Sequence, residues 1–133
     1  MTGRYQKTTD HVRVSVESDY LDEQSTPEDG HYVWAYHITI DNLGEEPVRL
    51  LNRYWHITDA LGRIHEVRGA GVVGEQPVLA PGESYEYTSG TPLGTSSGIM
   101  RGSYEMETGH GKRLEVEIPA FSLDMPQTNP RLN

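Results

Sequence analysis

The chain has 133 residues and a formal net charge of −9, from 11 Lys and Arg against 20 Asp and Glu. This balance argues against nucleic acid and anionic membranes as partners, because long-range electrostatics repel both unless basic groups cluster on one face. The sequence contains no cysteine, which excludes disulfides, thiolate metal sites and cysteine nucleophiles and fits a cytoplasmic protein. We therefore expect one domain over residues 1–133, with flexible or extended tails at 1–10 and 124–133.

No segment has the apolar length of a membrane span or the charged start and apolar run of a signal peptide. Alternating apolar residues instead predict short strands. The first, His11–Glu17, places three valines on one face, and His31–Asn42 carries the strongest alternation in the sequence. The apolar face of this second strand, which we expect in the core, consists of Tyr32, Trp34, Tyr36, Ile38 and Ile40.

Further strands follow at intervals of eight to twelve residues, separated by Gly, Pro, Asn and Asp turns. They are predicted at Val48–Thr58, Ile64–Val67, Tyr85–Thr88, Arg101–Glu107 and Lys112–Ile118. In the third strand of the protein, Leu51, Trp55 and Ile57 would share a face. The pattern predicts an all-β fold, an immunoglobulin or fibronectin type III-like β-sandwich of about seven antiparallel strands with Tyr104 as a candidate corner tyrosine. A closed barrel is the alternative.

A glycine-rich segment, Gly69 to Gly74, matches the G-x-G-x-x-G pattern that can bind a pyrophosphate. The dinucleotide-binding form needs a helix directly after the motif, and Pro77 and Pro81 are incompatible with one. Two interpretations stay open. The successive amides could form an anion-binding nest without a helix, or the glycines could serve a connection between sheets. The residues of the nest would be Arg68, Gly69, Gly71 and Gly74.

Several segments of the sequence agree with one known family. They are Tyr54–Asp59, Val67–Pro77, Pro81–Glu83, Tyr87–Gly90 and Ile118–Leu123. In these segments the sequence resembles the ApaG family, also called CorD, from Val12 to the C-terminus. The family's usual acidic residue between the first two glycines is replaced by Ala70, which argues against a metal-binding carboxylate there.

The resemblance implies a small fibronectin type III-like bacterial protein with a role in cobalt resistance and magnesium efflux. Its gene tends to neighbour one for a dinucleoside tetraphosphate hydrolase. Similar domains in F-box proteins and in a DNA polymerase delta-interacting protein point towards protein interaction. The resemblance brings no catalytic residues with it.

Other candidate sites are weaker. The segment from Gly94 to Gly98 matches the G-x-S-x-G nucleophile elbow, but no helix follows Ser96, so a plain turn is favoured. His37, His56 and His65 lie singly on separate predicted strands, without the spacing of a local metal site. Arg49 and Arg53, at an even spacing, would line one face of a strand, either as an anion or partner patch or as an ordinary solvated charged face.

Our leading hypothesis is a non-enzymatic interaction module that binds a protein partner and has no cofactor, catalytic residue or assigned metal ligand. The resemblance implies that this role is linked to divalent cation homeostasis. The alternatives are a phosphate, pyrophosphate or nucleotide binder that uses the Gly69–Gly74 loop, and a direct divalent metal binder. Exposed edge strands would also be compatible with a homodimer.

Overall fold

The computed structural model describes residues 3–126, which form nine strands and two short 3-10 helices. The strands are β1 Gly3–Thr9, β2 Val12–Tyr20, β3 Tyr32–Asn42, β4 Val48–Asp59, β5 Ile64–Ala70, β6 Val78–Leu79, β7 Ser84–Leu93, β8 Ser97–Thr108 and β9 Arg113–Asp124. The 3-10 helices are Asp22–Gln24 and Pro27–Asp29. Among these residues, no helix has the length and hydropathy needed to cross a membrane.

Two antiparallel sheets face each other, with strand orders β1-β2-β3-β7 and β5-β4-β8-β9, and β6 pairs with β4. Without β1 and β6, this is the three-plus-four arrangement of a fibronectin type III-like sandwich. The fold-class prediction is therefore confirmed.

The core lies between the two sheets and follows the predicted alternation. On β3, Trp34, Ile38 and Ile40 are buried, and the three valines of β2 lie beside them. The facing sheet contributes Leu50, Trp55, Ile57, Met100, Tyr104, Met106, Val116, Ile118, Phe121 and Leu123. The apolar period of two residues was therefore sufficient to identify most of the core.

The first residues of the protein differ from the prediction. Residues 3–9, expected to be a flexible or extended tail, form β1, which pairs with β2 and packs against β9. The Tyr5 hydroxyl lies 3.0 Å from Ser122 Oγ, and Lys7 pairs with Glu117 at 3.0 Å. Tyr5 is the only large apolar residue of β1, so periodicity gave no signal. At the other end, residue 124 completes β9, and the rest of the predicted tail beyond 126 lies outside the described residues.

A bulge in β4 corrects the predicted faces of that strand. The pairing register with β8 shifts between Leu50 and Asn52, so that Leu51 is the extra residue. Leu50, rather than Leu51, is buried on the core face that continues with Trp55. Arg49 lies opposite Glu107 on the outer face, whereas Arg53 lies opposite Tyr104 on the inner face. The prediction that these two arginines share a face was wrong, because a bulge inverts the alternation.

The core also contains a hydrogen bond between two side chains of opposite sheets. Tyr104 of β8 is fully buried, and its hydroxyl hydrogen-bonds the Tyr87 hydroxyl of β7. A corner tyrosine would instead bond a backbone group a few residues upstream. Tyr104 therefore joins the two layers and does not fix a strand corner.

Candidate functional site

The glycine-rich segment begins in β5 and ends in a tight turn. The Val72 amide donates to the Glu75 carbonyl at 2.8 Å, and the Glu75 amide donates back to the Val72 carbonyl at 2.9 Å. Between them, Val73 and Gly74 have φ angles of 42° and 83°. Two consecutive positive φ angles define a type I′ turn, the preferred two-residue hairpin connection. The motif thus ends in a miniature hairpin with no helix.

Each glycine of the motif has a separate structural role. A Cβ on Gly69 would lie 2.8 Å from Arg53 Nη1, so this glycine makes room for the guanidinium. Gly71 has a φ of +64°, and a Cβ there would lie 2.2 Å from the Glu75 carbonyl oxygen. Gly74 supplies the second positive φ of the turn. These roles account for the G-x-G-x-x-G pattern as a structural connection.

The loop is fastened to the bulge of β4. The Leu51 carbonyl accepts hydrogen bonds from the Gly71 amide at 2.9 Å and from the Gln76 side chain at 2.8 Å. The Val72 side chain is fully buried beneath the turn. The bulge and the glycine loop therefore form one structural unit, and two of the motif's amides, on Gly71 and Val72, already donate to protein carbonyls.

The predicted anion-binding residues are not all brought together. Arg68 lies on the outer face of β5, with Cζ 4.6 Å from the centre of the Tyr54 ring and Nη2 3.7 Å from Glu66 Oε2. The arginine that contacts the loop is Arg53, whose Nη1 donates to the carbonyls of Ala70 at 3.2 Å and Gly71 at 2.9 Å. Sequence reasoning missed this role because the bulge turns Arg53 inward.

Arg53 lies at a cleft of about 190 Å³ between the two sheets. The cleft is lined by Tyr36, Arg53, Trp55, Val72, Val73, Gly74, Tyr87 and Ser89. Burial raises the pKa of Tyr36, and burial also raises the pKa of Tyr87, while the positive charge of Arg53 opposes both shifts. Both tyrosines therefore stay neutral near pH 7 and can donate or accept hydrogen bonds.

A larger groove, of about 690 Å³, lies on the outer face of the second sheet. Its charged groups are mostly satisfied by each other. Glu105 accepts hydrogen bonds from Asn52 at 2.5 Å and from Arg113 at 2.9 Å, and the Tyr54 hydroxyl donates to Glu66 at 2.6 Å. The hydrogen bond to Glu66 raises the pKa of Tyr54, and hydrogen bonds from Asn52 and Arg113 lower that of Glu105. This groove is a solvated, internally paired surface.

The remaining motifs do not assemble a reactive centre in residues 3–126. His37 lies on the outer face of the first sheet, 2.8 Å from both Thr88 Oγ1 and Glu86 Oε1, whereas His56 and His65 lie on strands of the second sheet. No group of three or more His, Asp or Glu among these residues could hold a metal ion. Ser96 lies in the turn between β7 and β8, without the helix that a nucleophile elbow requires.

The most accessible element of the sandwich is the edge strand β5. Every residue of β5 except Gly69 is exposed, so both faces of the strand are open to solvent. In the described part of the protein, β5 pairs with β4 alone. Its free edge therefore presents unpaired backbone donors and acceptors.

Comparison with known proteins agrees with this architecture. The profile of the ApaG domain matches residues 22–108. The chain belongs to the ApaG family. It is 60% identical over 129 residues to protein ApaG of Parvibaculum lavamentivorans and equally to that of Paramagnetospirillum magneticum, covering 97% of this chain and 99% of each relative. The predicted family membership is thus confirmed.

Comparison with solved structures supports the same family and the same fold. The chain is similar to the ApaA protein from Bordetella pertussis, with a TM-score of 0.85 and 50% identity over 88% of this chain and 95% of that one. The C-terminal domain of wzt shares the fold with a TM-score of 0.55 at 11% identity, over 94% of this chain and 79% of that one. ApaG proteins are small β-sandwich domains, and nothing in these similarities indicates catalysis.

Proposed function

We propose that this ApaG protein is a non-enzymatic, cytoplasmic interaction module that binds a protein partner along β5. The observation that carries the proposal is the exposure of this edge strand on both faces. Extended segments of other proteins add to such edges because the free backbone groups supply a complete row of hydrogen bonds. Soluble proteins usually shorten, cover or charge an edge strand. β5 carries Glu66 and Arg68, but these two side chains pair with each other, and the seven residues of its edge remain uncovered.

Exposed apolar side chains on and beside β5 also favour this strand as the binding surface. β5 and the turns at its two ends carry Leu61, Ile64, Val67 and Val73, which are 71%, 58%, 42% and 56% exposed. Ile64 and Val67 lie on opposite faces of the strand, so an added strand could contact one on each side. Tyr54, beside β5 on the outer face, is a residue type enriched at binding hot spots.

The role in cobalt and magnesium homeostasis that the family resemblance implies would then be exerted through a partner. Residues 3–126 contain no group of His, Asp and Glu suited to a metal ion, which disfavours direct metal binding. A binding module also requires no nucleophile, base or oxyanion site, and the described residues offer no such set.

Anion binding at the glycine loop is the second candidate function. The amides of Val73 and Gly74 have no backbone acceptor within residues 3–126, and Arg53 adds a positive charge beside them. Against a nucleotide, the adjacent cleft measures about 190 Å³, below the roughly 300–1,000 Å³ of ordinary small-molecule pockets. A partner-binding role therefore has the stronger support.

The test compares partner capture by edge-strand variants. Ile64→Lys with Val67→Lys adds charge to both faces of β5, and Leu43→Lys, at a 50% exposed position away from β5, is the matched control. Proteins captured from the source cells by the wild type and by the control should be lost with the double variant. Sedimentation should show the same loss if the partner is a second copy. Equal capture by all three proteins would contradict the proposal.

A further inference from the structure

Arg53 differs from Arg13, the other partly buried arginine of the described residues. Arg13 pairs with Asp41, and the exposed Arg63 and Arg113 also each pair with a carboxylate. Arg53 is half-buried on the inner face, and within residues 3–126 no carboxylate lies within ion-pairing distance of it. Only Nη1 donates hydrogen bonds, to two backbone carbonyls, which leaves the Nε and Nη2 donors without acceptors among the described residues.

An arginine in this position is costly unless an anion joins it. Removing a guanidinium from water without a counter-charge is unfavourable, and a protein with 20 acidic residues has ample means of pairing one. Gly69 leaves room for the guanidinium, and the Ala70 and Gly71 carbonyls hold it at the loop. The local structure thus places a positive charge at the cleft between the sheets without a neutralising carboxylate.

The surroundings indicate which anion fits. The cleft beside Arg53 is lined by Tyr36, Tyr87 and Ser89, which contribute polar and aromatic side chains to its wall. A guanidinium binds a planar carboxylate through two parallel hydrogen bonds. The volume of about 190 Å³ suits a carboxylate on a short aliphatic stem. A singly charged group is also repelled less than a polyphosphate by a protein of net charge −9.

We propose that the cleft at Arg53 receives a carboxylate group of the partner that docks on β5, either an Asp or Glu side chain or the partner's C-terminal carboxylate. This inference rests on the proposed binding function and names the chemistry of its anchoring group. The cleft and the β5 edge are adjacent, because Gly69 of β5 lies opposite Arg53 and the turn that follows β5 lines the cleft. A strand added to β5 can therefore place a side chain or terminus at Arg53.

The experiment is a titration followed by two-dimensional ¹H–¹⁵N NMR at constant ionic strength, with chloride as the balancing anion. The probes are acetate, N-acetylalanine, N-acetylglutamic acid α-amide, inorganic phosphate and pyrophosphate. We expect saturable shifts of the Arg53 Nε–H and of the Ser89 and Gly74 amides with the carboxylates. N-acetylalanine carries only an α-carboxylate, and the glutamic acid amide carries only a side-chain carboxylate. The probe that binds more tightly therefore shows whether the partner supplies its C-terminus or an acidic side chain.

Matched variants separate binding from folding. Arg53→Gln should weaken the affinity for the carboxylate probes about tenfold or more, because a hydrogen-bonded charge is lost. Arg68→Gln, on the outer face, should bind the probes like the wild type. Ser89→Ala removes a hydroxyl of the cleft without altering the loop and should weaken binding several-fold. Ser89→Ala provides the test of the cleft if Arg53→Gln does not fold.

Three results would overturn the inference: no saturable shift, shifts unchanged in Arg53→Gln, or saturation by phosphate or pyrophosphate but not by carboxylates. The last result would favour the phosphate-binding function. None of them would affect the β5 result, because partner capture that depends on Ile64 and Val67 but not on Arg53 would leave the proposed function intact.

Discussion

Replacing Gly71 by alanine tests whether the glycine motif is a structural connection. Gly71 has a φ of +64°, and an added Cβ would lie 2.2 Å from the Glu75 carbonyl oxygen and 2.9 Å from its carbonyl carbon. Both atoms are backbone and cannot rotate away. The Glu75 carbonyl is also the acceptor for the Val72 amide, so the turn must open to admit a methyl group.

The magnitude follows from these contacts. A left-handed conformation costs a non-glycine residue about 1 kcal/mol. Opening the turn also sacrifices the two Val72–Glu75 hydrogen bonds, each worth about 1 kcal/mol. The sum is about 3 kcal/mol, and at about 4 °C per kcal/mol for a domain of this size the midpoint of thermal unfolding should fall by about 12 °C.

Gly74→Ala is the matched comparison. Gly74 has a φ of +83°, but an added Cβ would meet no atom within 4 Å, so only the conformational cost of about 1 kcal/mol remains. Gly82, at φ +85° in a different turn and equally open, should behave like Gly74. Urea unfolding followed by tryptophan fluorescence measures all three variants. Equal losses of unfolding free energy for Gly71→Ala and Gly74→Ala would refute the assigned roles.

The other expectations concern two buried tyrosines and the dependence of the unfolding free energy on pH in acid. Tyr87→Phe and Tyr104→Phe each leave one buried hydroxyl without its partner, so each should cost about 1–3 kcal/mol of unfolding free energy and the double variant less than their sum; strict additivity would contradict the cross-sheet bond. Burial raises the pKa of Asp59, but hydrogen bonds from Arg63 and Leu61 outweigh this effect and lower that pKa below its usual range. The stabilisation from Asp59 is therefore complete above the unfolded pKa and lost as pH falls through the lower folded value. Unfolding free energies of wild type and Asp59→Asn, measured from about pH 5 down to about pH 2, should converge on acidification, and a pH-independent difference would exclude this linkage.

The fold was predictable because strict alternation reports which face of a strand is buried. On β3, apolar and polar residues alternate from Tyr36 to Ile40, and the structure buries the apolar set. The lack of a helix directly after the glycine motif in the described residues was equally predictable, since the prolines after Gly74 are incompatible with one. These inferences depend only on local sequence, which is why they succeed.

The candidate site was less predictable because it depends on one extra residue. The bulge at Leu51 places Arg53 on the inner face, and no single residue type specifies a bulge. One signal was present: the apolar residues switch from even to odd sequence positions between Leu50 and Trp55. β1 escaped prediction for another reason, because backbone pairing with β2, polar contacts with β9 and only one large apolar side chain, Tyr5, hold it in place.

The packing of β1 against β9 also bears on how the protein matures during synthesis. Tyr5 bonds Ser122 across 117 positions, and Lys7 bonds Glu117 across 110. Contacts of such separation form late, because the intervening residues must first be ordered. As the ribosome releases the polypeptide from the N-terminus onwards, β1 has no docking surface until β9, Arg113–Asp124, has emerged. We therefore expect this side of the sandwich to close last among the pairings of the described strands.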